Sequence, residues 1–242
     1  MKFIITTILY VLIYFAFFSN CRAEFSTLYE QVKFYQNRYK VQCVDDKITD
    51  NNGNGFDSLY GTRNMRTILY GIAYRGGANN FYHKFNKREN QNPLPNDGLE
   101  NLCKEGFSGA VYLYAKNFAS SAKEVTVGNN KLEYRQISGN NSEEMKQIIE
   151  MVYEVITQRR KGPIYFHCWN GWHQSGYVAA AILKQFCGYS DEQALDYWVR
   201  NTDSASRGYE QLKKRIVEFK PFSEYEISKE LQPVICPCSK EK

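Results

Sequence analysis

Pro163-Ile164-Tyr165-Phe166 is a short apolar run, and Tyr177 to Leu183 is a second, alanine-rich one. Between them stand only His167, Cys168, Trp169, Asn170, Gly171, Trp172, His173, Gln174, Ser175 and Gly176. The first run reads as a buried strand and the second as a helix. A strand that passes through a short glycine-containing loop into a helix limits the folds open to the chain. It also gathers backbone N–H groups at the helix start, where they and the helix dipole favour an anion or an ionised sulfur at Cys168.

The rest of the sequence alternates in the same way. Ile68 to Arg75 reads as a strand running into the turn Gly76-Gly77, Asp97 to Gly106 as a helix with a glycine stop, and Ala110 to Tyr114 as a buried strand. Asn141 with Glu144 forms a cap for a helix whose apolar positions Met145, Ile148, Ile149, Val152, Val155 and Ile156 share one face. Ser190 with Gln193 caps Asp191 to Arg200, and a last helix spans Tyr209 to Phe219. Leu28, Val32 and Tyr35 suggest a short early helix. This order predicts an α/β fold with a central, mostly parallel sheet and helices on both faces.

With 242 residues the chain has room for one good core. Its net charge of +5 is spread along the sequence, so no nucleic-acid-binding stripe is expected. Lys2, the apolar stretch Phe3 to Phe18 and the small residues up to Ala23 have the layout of a secretory signal, with cleavage expected after Ala23. The expected location is therefore periplasmic or secreted. The only membrane association read here is an uncleaved segment or a lipid anchor at Cys21. Six cysteines follow the signal, and an exported protein can pair them, with Cys236-Pro237-Cys238 a candidate clip for the tail. Cys103 and Cys187 sit in apolar settings and read as buried thiols. No metal or cofactor is implied. Asp50 to Gly55 fits the start of a calcium loop, but Gly61 occupies the twelfth position, so a solvated Asn/Gly turn is the reading.

On His167, Cys168, Gly171, Ser175 and Gly176 the chain resembles the cysteine-dependent protein phosphatases, most closely their dual-specificity branch. Tyr74-Arg75-Gly76-Gly77 resembles that family's first strand and turn, and the likeness covers residues 66–222. The resemblance implies a protein tyrosine/dual-specificity phosphatase-like fold, and with the layout of the rest of the chain it gives four expected segments. These are a signal over 1–23, a polar N-terminal extension over 24–60, the domain over 61–222 and a tail over 223–242. It also implies Cys168 as nucleophile, Ser175 as the hydroxyl that assists its departure, and His167 as a brace. Trp169, Asn170, Gly171, Trp172, His173 and Gln174 would then line the substrate. The ligand expected is a small or phosphorylated anion.

Two departures bear on activity. Gln174 stands where the family carries an arginine, so a charged, two-pronged donor is lost. Arg63, Arg66, Arg75 and Arg88 are candidate substitutes. Gln136 to Ser142, which corresponds to the family's general-acid loop, contains no aspartate. Three readings follow: an exported phosphatase-like enzyme of weak or altered activity, a pseudophosphatase that binds without turnover, and a thiol-dependent enzyme of another class.

Overall fold

A computed structural model describes residues 25–238. The leader expected over residues 1–23 lies outside the described residues. Six strands form one sheet: β1 (Thr62–Leu69), β2 (Ala73–Ala78), β3 (Gly109–Tyr112), β4 (Glu124–Val127), β5 (Asn130–Gln136) and β6 (Ile164–Cys168). Their spatial order is β1-β2-β6-β3-β5-β4, with β2, β6, β3 and β5 parallel and the two edge strands antiparallel to their neighbours. The helices are α1 (Leu28–Tyr39), α2 (Asn96–Lys104), α3 (Ser142–Ile156), α4 (Gln174–Cys187), α5 (Asp191–Arg200), α6 (Glu210–Glu218) and the short α7 (Gln232–Ile235). The predicted α/β architecture, a mostly parallel central sheet covered on both faces, is the one observed.

Side-chain alternation sets the two layers. Val111, Ile164 and Phe166 point into an aliphatic core with α3, α4 and α5, built on Ile148, Ile149, Val152, Val178 and Ile182. Ala110, Tyr112, Tyr134 and Tyr165 point the other way, into a tyrosine-rich core closed by Leu99 and Leu102 of α2. Asn141 accepts a hydrogen bond from the Glu144 N–H at the start of α3, and Ser190 with Gln193 completes a capping box on α5.

The single strand expected over Ile68 to Arg75 is instead a hairpin. β1 begins earlier, at Thr62, and the chain reverses around Gly71, whose φ of +68° lies in the left-handed region. Continuous apolarity across the turn hid the break. The β4–β5 hairpin escaped the sequence reading, although Gly128-Asn129-Asn130 between alternating residues is a hairpin signal.

The lead-in and the tail, set apart from the domain in the sequence, are packed parts of the same body. Val32, Tyr35, Val44, Ile48 and Leu59 are buried, as is Ile235. Disulfides join Cys43 to Cys238 and Cys187 to Cys236. Cys187 is thus not the buried thiol its apolar setting suggested, whereas Cys103 is free and buried. Each bridge is expected to add about 2–4 kcal/mol. Denaturant unfolding of the oxidised protein against Cys187→Ser/Cys236→Ser should show a loss of that size; coincident curves would mean that this bridge contributes nothing.

Candidate functional site

Cys168 ends β6, the strand flanked by β2 and β3, and the loop after it leads directly into α4. Sites at the carboxyl ends of parallel strands are the ones an open α/β sheet leaves accessible. The Cys168 side chain is buried, at 3% exposure, with its Sγ 3.4 Å from the Ser175 Oγ in the first turn of α4.

The loop is held from outside by its carbonyl oxygens. That of Trp169 accepts from the Ala78 N–H at 3.1 Å, and that of Asn170 from Asn64 Nδ2 at 2.8 Å. Arg75 Nη1 donates to the carbonyls of Gly171 and Trp172, at 2.8 and 3.3 Å. Trp198 Nε1 donates to His173 O at 3.0 Å. No peptide is cis among the described residues, and in a trans peptide the N–H points opposite to the C=O. Each N–H that follows one of these carbonyls therefore points away from that carbonyl's own brace.

Arg75 does most of this bracing. It is fully buried, and its remaining donors reach Tyr197 Oη at 3.0 Å and Asn201 O at 3.1 Å. Asn64 sits at a register shift in β1 with φ +49°, a conformation asparagine tolerates, which aims its amide at the loop. Close backbone approach requires glycine at two points. A Cβ on Gly77 would meet Asn170, Gly171 and Trp169 backbone atoms at 2.5–2.6 Å, and Gly171 has φ +78°.

His167 is fully buried on the tyrosine side. Its Nδ1 lies 3.2 Å from Cys168 O and its Nε2 2.8 Å from Tyr134 Oη. A carbonyl can only accept, so Nδ1 carries the proton and Nε2 accepts from the tyrosine. The Tyr134 Oη in turn accepts from the Leu94 N–H at 3.1 Å. Rings of Tyr112, Tyr134 and Tyr165 stack around the imidazole. Burial lowers its pKa to about 3, against a smaller opposing effect of the Cys168 carbonyl bond. His167 is thus a neutral brace behind the sulfur.

The other residues expected to line a ligand divide. Trp169 is half-buried, donates to Tyr112 Oη at 2.8 Å and packs on the Tyr114 ring at 4.3 Å. Trp172 donates to Asp203 at 3.1 Å. His173 places Nε2 2.7 Å from Ala205 O and stacks on Tyr209 at 3.8 Å. It is turned toward the start of α6, not toward Cys168. A cavity of about 410 Å³, lined by Gly208 to Leu212 and Arg215, opens on this flank. Asn170 Oδ1 accepts from Asn90 Nδ2 at 2.7 Å and from Arg63 at 3.4 Å.

Gln174 is buried, and its Nε2 donates to Ser138 O at 2.6 Å and Asn140 Oδ1 at 3.1 Å. Both amide hydrogens are spent on the 138–141 segment. That segment carries no carboxyl group; Glu144, at the start of α3, accepts from the Asn140 N–H at 3.0 Å and from the Ser138 hydroxyl, as a helix-start brace. Asn140 Oδ1 also accepts from Arg215 at 2.8 Å.

Of the four candidate arginines, Arg88 is bound to Asn80 and Pro93, Arg66 to Asn64 O and Asp203, and Arg75 to the carbonyls above. Arg63 differs. It is 3% exposed and lies over the Tyr82 ring at 5.0 Å. Asparagines 51, 90 and 170 hold its Nη atoms, whereas Arg66 meets a carboxylate; the buried Nε of Arg63, like that of Arg66, has no hydrogen-bond partner among the described residues. Burial lowers the pKa of Arg63. Burial raises the pKa values of Tyr112, Tyr114 and Tyr165 and keeps all three phenols neutral. The loop that carries the sulfur is thus flanked by one guanidinium, held to Asn170, and by the neutral Tyr112, which accepts from Trp169. Asp50, whose loop supplies Asn51, spends its carboxylate on the N–H groups of Asn52 and Asn54 as an ordinary turn.

No protein-family model matches the sequence, and no curated protein matches it. Among solved structures, the chain is similar to the core catalytic domain of the PP-IP phosphatase SIW14 from S. cerevisiae in complex with citrate (TM-score 0.43, 16% identity, 65% of this chain and 86% of that one). It is also similar to PTPMT1 in complex with PI(5)P (0.44, 14%, 64% and 93%) and to P. aeruginosa TpbA (0.36, 15%, 62% and 90%). The likeness is in the course of the chain.

Neutral burial of His167 has a consequence for stability. Its folded pKa, about 3, lies below the ordinary 6.5, so between those values the unfolded chain binds more protons. Stability should fall as pH drops from 6.5 toward 3, at up to about 1.4 kcal/mol per pH unit from this group. Denaturant melts across that window should show a shallower acid slope in His167→Asn than in the unaltered protein; equal slopes would remove His167 as the cause.

Proposed function

We propose that the chain is an exported, phosphatase-like protein whose Cys168 loop receives a phosphorylated or other anionic group, with weak or altered turnover. The observation that carries this reading is the bracing of the loop. Its carbonyls are taken up by braces from β1, β2 and α5, and an anion over Cys168 would receive the loop N–H groups left over at the mouth of α4. The Cys168 sulfur would attack phosphorus, forming an S–P bond as the P–O bond to the leaving group breaks. Water then cleaves the S–P bond, and the Ser175 hydroxyl, 3.4 Å from the sulfur, stabilises the departing thiolate. Arg63 supplies the positive charge that Gln174 does not, from behind the loop and not as a two-pronged clamp.

The leaving oxygen finds no carboxylic acid in the 138–141 segment. Leaving groups that depart without a proton, such as phenols, should therefore react far better than alkanols. The engagement of Gln174 with Ser138 and Asn140 favours a second reading, a pseudophosphatase that binds the same anion without turnover. Export rests on the charge, apolar core and small-residue layout of residues 1–23.

Hydrolysis of an aryl phosphate by the unaltered protein, Cys168→Ser and Gln174→Arg separates the readings. Slow activity that vanishes in Cys168→Ser and rises about tenfold or more in Gln174→Arg is expected for the enzyme. A silent unaltered protein with a Cys168-dependent gain in Gln174→Arg identifies the pseudophosphatase. Silence in both, with no protection of Cys168 from alkylation by inorganic phosphate, would end the proposal.

A further inference from the structure

Residues 81–91 leave the sheet after β2 and form a loop that the molecule holds firmly while presenting its aromatic rings outward. Phe81, Tyr82 and Phe85 are 45%, 42% and 81% exposed, three large rings within five residues. Scattered exposed apolar side chains are ordinary, but a cluster of this kind marks an interaction surface. Lys84, Lys87 and Arg88 alternate with the rings, against one acid, Glu89. The Lys87 ammonium lies 4.5 Å from the Phe81 ring centre, and the Lys84 ammonium 6.0 Å from that of Tyr60.

The frame beneath is rigid. His83 is buried, its Nδ1 accepts from the N–H groups of Phe85 and Asn86 at 3.2 and 2.9 Å, and its Nε2 lies 2.8 Å from Asp97. Tyr60 Oη accepts from the Lys84 N–H at 2.6 Å, and the Arg88 guanidinium and N–H are both fastened to Asn80. Outward rings on a tied loop are not the residue of a floppy segment, because the ordering cost of the loop has already been met by its own hydrogen bonds. The loop also adjoins the candidate site. Asn90 donates to Asn170 at 2.7 Å, and Tyr82 carries the Arg63 guanidinium on its face.

We infer that residues 81–91 dock the protein on an anionic lipid surface, with Phe81 and Phe85 entering the interface and Lys84 and Lys87 at the headgroups. Charge complementarity selects this occupant. The alternation of bulky rings with ammonium groups suits a layer that is apolar below and anionic above, where each lysine adds to binding and the rings bury area. A docked loop would set the mouth beside Cys168 against the same surface. The inference does not depend on turnover at Cys168.

Amide hydrogen exchange of the full chain tests it locally, so that residues 1–23 cannot mimic the result. The probes are vesicles of phosphatidylcholine alone and of phosphatidylcholine mixed with phosphatidylglycerol. Slowed exchange in 81–91 is expected with the mixed vesicles only, weakening with salt. Lys84→Glu/Lys87→Glu should raise the lipid concentration for half-protection by about tenfold or more. Phe81→Ser/Phe85→Ser should do the same while leaving thermal unfolding unchanged, since both side chains are exposed. Cys168→Ser should protect normally, which keeps this result separate from the fate of the catalytic reading. Unchanged exchange in 81–91, equal protection by neutral vesicles, or variants within twofold of the parent would overturn the inference, and protection by a soluble protein without lipid would assign the loop to a protein partner instead.

Discussion

A loop can offer its N–H groups to an anion only if something else satisfies its carbonyls, and here that something is chiefly Arg75. A guanidinium with no exposure would be costly to bury without partners, and this one makes four hydrogen bonds, to Gly171, Trp172, Asn201 and Tyr197. It is bound at every nitrogen, so it acts as a fixed post between β2, the loop and α5. Asn64 and Trp198 serve the neighbouring carbonyls in the same way. The shape of the loop is thus imposed from three directions and does not wait for a ligand to arrive.

The charge distribution around that shape is unusual for a site that would bind phosphate. Gln174 faces sideways and ties the helix start to the 138–141 segment, so the position that would hold a mobile cation holds a structural clamp. Positive charge comes from Arg63, buried behind the loop among asparagines. Neutral amides solvate a guanidinium without cancelling its charge, which a carboxylate in their place would do. A cation in that setting stabilises negative charge near Cys168 at a distance, but it cannot follow the three equatorial oxygens of a phosphoryl group through a reaction.

Much of the layout was legible in the sequence because it is encoded locally. The 3.6-residue spacing of Met145 to Ile156, the caps at Asn141 and Ser190, and the passage from Phe166 to Gln174 each announce one element. What could not be read depends on partners distant in sequence. Nothing local tells that Asn64 bends into the left-handed region to reach Asn170, 106 residues later, or that Gln174 would close on Ser138. Cys187 looked like core because its neighbours are apolar, and it is the partner chain segment at Cys236 that makes it a bridge. The break at Gly71 was hidden for the opposite reason, since both sides of the turn are buried and periodicity there is silent.

The lead-in and tail matter to the loop through the β1–β2 hairpin. That hairpin carries Arg63, Asn64, Arg75, Gly77 and Ala78, which meet the loop from one side. Its turn is fastened by Gln31, whose side chain donates to Gly71 O at 2.7 Å, and by the tail, where Ile235 O accepts from the Tyr70 N–H at 2.8 Å. The Cys43–Cys238 bridge then joins lead-in to tail, and Val44 N–H donates to Cys238 O at 3.1 Å beside it. β1 is paired on one side only, and a shift of one residue in its register would reverse which of its side chains face the loop. Covalent closure of the chain ends around that hairpin limits such movement at little cost in the folded state. The disulfides, remote from Cys168, therefore act on the same quantity as Arg75: the fixed direction of the loop's amides.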